Sequence, residues 1–215
     1  MQNNIITLEQ NIFKAHDAEH LDVVVLQDFN ITESLIEDFL LAAGDSVGIA
    51  AAFGRKCVLS AIAVASDTLI LYIQMTSIRN SKGGRAVLRD RILCSSRISK
   101  LAFDMDRIST ALYHDHRLHI AHAIDLQSIL VKIKSRQAPD TVTSILGGER
   151  LLNKPEVLDL FIGERSSSSK VTDVALRAWT SGRARHHQGI PAALRIDTAK
   201  LNKEVPFFFI LHVWL

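Results

Sequence analysis

The hydrophobic and polar positions divide the chain into a strand-rich first part and a helical second part. Four apolar segments in the first part are short and rich in alanine or β-branched residues, a pattern typical of buried strands. In chain order they span residues 21–26, 47–54, 57–65 and 68–75. Only Ser66 and Asp67 separate the last two segments, so we predict an antiparallel hairpin there.

Apolar residues with helical spacing follow in several places. Between the first two strands, Asn30 or Thr32 can accept hydrogen bonds from the first amides of a helix, and Gly44 is suited to end it. The other predicted helices span residues 85–95, 107–116, 126–135, 141–146, 155–162 and 171–183, and short strands are predicted at 100–103 and 120–124. This alternation predicts an α/β fold in which helices flank a mixed central sheet.

The two ends of the chain differ from the part between them. Residues 1–20 show no clear periodicity, so we predict an N-terminal arm followed by a single domain over residues 21–215 with a helical second half. A chain of 215 residues is long enough to bury one substantial core. Residues 207–215 are intensely apolar, which favours a core strand or a surface that a protein partner or a second copy of the chain covers.

Composition favours a globular protein of the cytoplasm or nucleus. Apolar residues make up 47% of the chain and charged residues 22%. No apolar stretch approaches the roughly 20 residues of a membrane-spanning helix, and the first residues lack the pattern of a signal peptide. Cys57 and Cys94 lie in apolar sequence without metal-ligand spacing, which predicts buried thiols in a reducing compartment.

The net charge is only +2, but the basic residues are clustered. Seven lysines and arginines lie between residues 79 and 100, against the single acid Asp90, and a second basic patch lies at residues 177–187. Such clusters can contact a phosphate backbone, and a solvated helix face is the alternative. The candidate nucleic-acid-binding residues are Lys82, Arg85, Arg89, Arg91, Arg183 and Arg185.

Two stretches of the chain resemble a known family. Residues 22–75 contain a strand, an acidic helix, the strand VGIAAAFG and a hairpin, and residues 100–127 run from KLAFD to IDLQ. In order and spacing they resemble ribonuclease D-like, DEDD-type 3′–5′ exonuclease domains. The resemblance implies a ribonuclease H-like fold with about five or six strands. It also implies removal of 3′ nucleotides from RNA or DNA by two divalent ions, Mg²⁺ or Mn²⁺, held by carboxylates.

The resemblance implies a degenerate site in the first motif. The family carries Asp and Glu in its first strand at the positions where this chain has Ala50 and Ala52. Alanine has no oxygen to offer a metal. Three interpretations stay open: natural loss of the ligands, deliberate substitution of a working enzyme, or ordinary small core residues in an unrelated strand.

The other motifs also depart from the family. Aligning Asp104 with the strand-end Asp puts Ile108 at the metal-binding position, whereas a shifted alignment uses Asp104 or Asp106. The last motif, Tyr-x-x-x-Asp, matches Ser169 to Asp173 with serine in place of tyrosine. No catalytic set is intact under this alignment, and Asp104 and Asp173 are the remnants. The histidines of residues 114–122 straddle a predicted helix end, so we predict no metal site there.

These observations predict a catalytically inactive exonuclease-like domain that serves as an RNA-binding or protein-interaction adaptor in RNA processing or small-RNA pathways. No cofactor is expected on that hypothesis. The first alternative is a metal-dependent 3′–5′ exonuclease, using Mg²⁺ or Mn²⁺, in which alanines replace the first-motif Asp and Glu. The second is a structural interaction domain without nucleic-acid affinity. A partner or homodimer contact would use the apolar residues 207–215.

Overall fold

The structure is a computed structural model that describes residues 4–13, 20–76, 83–129, 138–146, 152–162 and 170–186. Its strands are β1 Asn4–Glu9, β2 His20–Gln27, β3 Ser46–Phe53, β4 Leu59–Ala65, β5 Leu69–Gln74, β6 Ser99–Ala102 and β7 Ala123–Asp125. Its α-helices are α1 Glu33–Ala43, α2 Gly84–Leu88, α3 Met105–His116, α4 Leu126–Ile129, α5 Ala138–Leu146, α6 Lys154–Ile162 and α7 Val171–Arg183. A π-helical segment, Arg89–Leu93, continues α2.

The described strands form one mixed sheet in the order β1-β2-β5-β4-β3-β6-β7. β3, β4 and β5 form an antiparallel meander, β1 pairs antiparallel with β2, and the remaining neighbours are parallel. β3 therefore lies inside the sheet between β4 and β6. The predicted α/β fold with a mixed sheet and flanking helices is confirmed.

Each face of the sheet carries its own hydrophobic core. Because neighbouring strand residues point to opposite faces, Ile49 and Ala51 lie in the core beneath α1, α2 and α3. Ala50 and Ala52 lie in the core beneath α5, α6 and α7. The two alanine positions singled out in the sequence therefore face α7.

Local signals placed several elements correctly. The hydroxyl of Thr32 accepts a hydrogen bond from the backbone N–H of Leu35 at 3.3 Å and caps α1. Gly44 follows the helix with a φ of 70°, and its N–H donates to the carbonyl of Leu40 at 3.1 Å. The hairpin between β4 and β5 is also as predicted.

The described residues of the predicted N-terminal arm belong to the fold. β1 is an edge strand that pairs with β2. It brings the described sheet to seven strands, against the five or six predicted. After it, Ile12 and Phe13 are buried, and the Phe13 ring meets the Trp179 ring edge-on at 5.8 Å between centroids. β1 was missed because an edge strand buries little, so its sequence NIITLE has only a weak apolar pattern.

Both cysteines are exposed, so the prediction of buried thiols is wrong. Strand β4 begins at Leu59, which leaves Cys57 in a 3₁₀ turn before the strand. Cys94 follows the π-helical segment, where its thiol donates to the carbonyl of His119 at 3.4 Å.

Within the described part of the chain, no helix has the length and hydrophobicity needed to cross a bilayer. The apolar residues 207–215, for which a core or partner-contact role was predicted, lie outside the described residues, as do Lys82 and Ser169.

Candidate functional site

α7 lies with its backbone directly against β3. A Cβ atom added to Gly48 would come within 1.9 Å of the Ala178 carbonyl oxygen and 2.3 Å of the Gly182 nitrogen. Across the β3–β4 pair, Ala50 faces Ala63 in the register. These small residues form a shallow surface on which the helix packs, so residues that α7 points at the sheet lie next to positions 50 and 52.

A small cavity, the α7 cavity, lies at the place that the resemblance assigns to the metal ions. Its volume is about 10 Å³, which is close to what a single water needs. Residues from β3, the turn between β6 and α3, α3, α6 and α7 line it, among them Ala50, Phe103, Asp104, Ile108, Phe161 and Arg177. The rings of Phe103 and Phe161 meet edge-on at 5.1 Å and form one wall. A nucleotide with two metal ions does not fit this space.

Sequence analysis counted Arg177 in the second basic patch and did not predict its place at this cavity. It is 4% exposed, and its Nη2 lies 3.5 Å from the carbonyl oxygen of Ala51 on β3. Burial raises the pKa of the Tyr72 phenol, and the Arg177 charge partly opposes that rise. The guanidinium therefore lies inside the fold, beside the strand to which the resemblance assigns the missing carboxylates. The available signal was its helical spacing, because Arg177 shares a face with Val174, Ala178 and Ser181.

The two carboxylates considered as remnants do not line the cavity together. Asp104 lines it; this residue precedes α3 with a φ of 58°, and its backbone N–H donates to Oε1 of Gln127 at 3.1 Å. Asp173 is half-buried in the first turn of α7, where its carboxylate accepts from the hydroxyl of Thr172 at 3.3 Å. Asp173 does not line the cavity, whereas Arg177, one turn further along α7, does.

The acids at the end of β6 and β7 interact without forming a metal site. Burial raises the pKa of Asp125, and the charges of Asp106 and Asp104 add to the rise. Across the described ranges, no three His, Cys, Asp or Glu side chains are arranged to hold a metal ion. Mg²⁺ and Mn²⁺ need several oxygen ligands. The α7 cavity offers the methyl group of Ala50, the side chain of Ile108 and the guanidinium of Arg177, with Asp104 as the one acidic residue of its lining, so its residues do not fit a divalent metal pair.

Arg85, predicted to contact nucleic acid, is a buried structural residue. Its Nε donates to Oδ2 of Asp28 at 2.9 Å, and its Nη2 donates to the same carboxylate and to the carbonyl of Thr76. Asp28 is fully buried and also accepts from the Thr76 hydroxyl at 2.7 Å. Asp28 is 57 residues away in the sequence, so no local pattern could indicate this ion pair.

Arg183 and Arg185 also serve the fold. Arg185 forms an ion pair with Asp67 in the β4–β5 turn and donates to the carbonyl of Ala43 at 2.8 Å. Arg183 lies 3.9 Å from Asp67, with its guanidinium 5.7 Å from the centre of the Trp179 ring. The predicted second basic patch therefore fastens the end of α7 to a turn and to α1.

Arg89 and Arg91 are the described candidates that stay on the surface. Each forms an exposed ion pair, Arg89 with Asp90 at 2.6 Å and Arg91 with Glu37 at 3.2 Å. Exposed pairs of this kind are weak, so both guanidinium groups can exchange a carboxylate for a phosphate.

A larger open space, the β3 groove, lies between the end of β3 and α3. Its volume is about 420 Å³, and its lining includes Phe53, Arg107, Thr110 and His114, together with the acids Asp106 and Asp115. The guanidinium of Arg107 lies 4.0 Å above the centre of the Phe53 ring.

Two further cations flank the β3 groove. Arg55 and Lys56 are exposed in the 3₁₀ turn that follows β3, and neither forms an ion pair within the described residues. Sequence analysis missed this surface because its parts lie about 50 residues apart along the chain.

No protein-family model matches the chain, and no curated protein sequence matches it. Solved structures do match. The EXO domain of Aedes aegypti Nibbler is 13% identical, covers 88% of this chain and 98% of its own, and has a TM-score of 0.55. NrnC of Brucella melitensis is 12% identical over 86% of this chain and 97% of its own, with a TM-score of 0.52. Escherichia coli RNase D, an exoribonuclease involved in structured RNA processing, is 17% identical over 78% of this chain and 42% of its own, with a TM-score of 0.50. The chain therefore has the ribonuclease H-like fold of DEDD-type 3′–5′ exonuclease domains.

Proposed function

We propose that this chain is a non-catalytic exonuclease-fold domain that binds single-stranded RNA and acts as an adaptor in RNA processing. The observation that carries the proposal is the α7 cavity. Its volume is about 10 Å³, and it presents Ala50, Ile108 and Arg177 where a hydrolytic site needs oxygen ligands.

The loss of catalysis follows from three features that act together. Ala50 and Ala52 supply no oxygen, the cavity has no room for a nucleotide, and the Arg177 charge repels divalent ions. Two-metal hydrolysis needs both ions to stabilise the attacking and leaving oxygens. Asp104 alone cannot hold them.

RNA binding is supported by the β3 groove. An aromatic ring under a guanidinium is a surface on which an unpaired base can stack, and Phe53 and Arg107 provide it. Arg55 and Lys56 can contact the neighbouring phosphates without first breaking an ion pair of the described residues. Asp106 and Asp115 at the groove wall repel phosphates and so disfavour a continuous path for a nucleic-acid backbone. A short single strand therefore fits better than a duplex.

The test is fluorescence anisotropy of a labelled single-stranded RNA at two salt concentrations. The triple variant Arg55→Ala, Lys56→Ala, Arg107→Ala should weaken binding about tenfold or more and make the salt dependence shallower, since each lost phosphate contact lowers the slope by about 1. The matched control is Arg97→Ala, Lys154→Ala, Lys170→Ala, which removes the same charge from exposed positions elsewhere and should bind as the original chain does.

Each part of the proposal has its own contradicting result. Equal affinity of the two triple variants would exclude the β3 groove as the RNA surface. Absence of any salt-dependent RNA binding by the original chain would favour an interaction domain without nucleic-acid affinity. Release of nucleotides from the RNA by the original chain in Mn²⁺ would overturn the non-catalytic assignment.

A further inference from the structure

The interior beside β3 contains a positively charged side chain, the guanidinium of Arg177. Arg177 is 4% exposed, lines the α7 cavity together with Ala50 and Asp104, and points a guanidinium N–H at the carbonyl of Ala51. We propose that the Arg177 guanidinium takes the place of divalent metal ions in this cavity. The lack of metal binding would then have two causes: the missing carboxylates, and the charge of Arg177, which excludes metal ions from the cavity.

The close packing of α7 on β3 sets the position of this charge. The carbonyl of Ala178 and the nitrogen of Gly182 lie so near Gly48 that any side chain there would collide with them. Arg177 immediately precedes Ala178 in α7, and its side chain reaches the carbonyl oxygen of Ala51 on β3 at 3.5 Å. Ala50 and Ala52 point to the same face. The small side chain of Ala50 lines the same cavity as the arginine.

The surroundings suit a guanidinium better than a metal ion. A buried cation is tolerated when hydrogen-bond acceptors or a negative charge face it. The Ala51 carbonyl accepts from Arg177, Asp104 is among the residues that line the same cavity, and the positive charge of Arg177 acts on the phenol of Tyr72. A metal ion in this space would meet the guanidinium at short range and be repelled.

This inference goes beyond the proposed function because it predicts what restored ligands would do. Carboxylates introduced by Ala50→Asp and Ala52→Glu would pair with Arg177 instead of binding a metal ion. Replacing the arginine in that background, by Arg177→Asp, removes the competing cation and adds an oxygen ligand. Metal affinity should therefore depend on position 177 as strongly as on positions 50 and 52.

The experiment is a titration of Mn²⁺ alone, followed by electron paramagnetic resonance of the free ion and by thermal unfolding. Four proteins are compared: the original chain, the Ala50→Asp, Ala52→Glu double variant, the Arg177→Asp single variant, and the triple variant. Of these four, the triple variant should bind Mn²⁺ most tightly and show the largest rise in unfolding temperature with it. The double variant should bind at least about tenfold more weakly, because of the retained guanidinium.

Two further variants separate charge from ligand number and from folding. On the double-variant background, Arg177→Lys retains the charge and should stay without Mn²⁺ affinity. Arg177→Met removes the charge at similar volume, adds no oxygen, and should bind more tightly than the double variant. Circular dichroism reports whether each protein folds, and the methionine variant provides the test if the triple variant does not.

Mn²⁺ binding by the double variant within about twofold of the triple or methionine variant would overturn the inference. So would absence of Mn²⁺ binding in both of those variants when folded. RNA plays no part in these measurements, so a failure here leaves the proposed RNA binding untouched, and a failure of RNA binding leaves this inference untouched.

Discussion

The α7 cavity and the β3 groove both adjoin strand β3, but they differ in volume, in openness and in the exposure of their arginine. The cavity is small, with a volume of about 10 Å³, and its arginine is buried against the β3 backbone. The groove is open, about 420 Å³ in volume, and its arginine lies over the face of the Phe53 ring. Arg177 is therefore part of the protein interior, and Arg107 is accessible to a ligand.

The difference shows that a positive charge alone does not tell whether an arginine stabilises the fold or is free to bind a ligand. Arg85, Arg177 and Arg185 contact backbone carbonyls or buried carboxylates, and each connects elements distant in the sequence. Arg55 and Arg107 are exposed on the surface. A basic cluster in the sequence becomes a binding surface only where the fold leaves it without an internal acceptor.

The largest effect is expected from breaking a buried ion pair. Arg85→Ala should lower the free energy of unfolding by about 4 kcal/mol, because it leaves the carboxylate of the fully buried Asp28 uncompensated. Urea denaturation measures the loss. Arg89→Ala, on the exposed side of the same helical segment, is the control and should leave the denaturation midpoint near that of the original chain. Equal losses in the two variants would contradict the assigned roles.

The next effect concerns the contact between α7 and β3. Gly48→Ala should cost about 3 kcal/mol, since the new methyl group would overlap the backbone of Ala178 and Gly182 and force the helix away. Gly54→Ala is the control, because its nearest neighbours lie at ordinary van der Waals distances of 3.7 and 3.8 Å. Thermal unfolding compares the two variants, and a Gly48→Ala protein as stable as the control would show that the helix does not lie on the strand.

A smaller effect is expected from the buried cation Lys100. Its Nζ donates to the carbonyl of Ser95 at 2.6 Å, and burial lowers the pKa of its ammonium group to about 8. The unfolded chain retains a pKa near 10.5, so between pH 8 and pH 10 it binds more protons than the folded chain. The free energy of unfolding should therefore rise by about 2 kcal/mol over that range, relative to a Lys100→Met variant. A pH profile identical in the two proteins would exclude the lowered pKa.

The smallest effect tests the aromatic part of the β3 groove. Phe53→Ala should weaken RNA binding about fivefold to tenfold, because one stacked base is worth about 1 kcal/mol or somewhat more. The salt dependence should not change, since no charge is removed. Phe29→Ala, at an exposed aromatic side chain outside the groove, should leave the affinity unchanged. A Phe53→Ala protein with unaltered affinity would restrict the RNA contact to phosphates.

The sequence was sufficient for most elements because their causes are local. Thr32 and Gly44 bound α1, the apolar runs mark the inner strands, and two polar residues between β4 and β5 mark the hairpin. The edge strand β1 escaped notice because it buries little. Element order and the two-sided burial of the strands were enough to predict a mixed sheet between helices.

The candidate site was less predictable because its contacts span the chain. Arg177 approaches Ala51 from 126 positions away, and Arg85 approaches Asp28 from 57. Asp173, the described end of the predicted last motif, lies one helical turn before Arg177, which lines the cavity. Such pairings depend on how α7 lies on the sheet, and spacing along a single sequence does not encode that orientation.

The most direct test of the central claim is calorimetric titration of Mn²⁺ into the unmodified chain, in the presence and absence of a single-stranded RNA. The account predicts no heat of metal binding at the α7 cavity under either condition, while the RNA itself binds and stays intact. Binding of two Mn²⁺ ions per chain, accompanied by shortening of the RNA from its 3′ end, would contradict it.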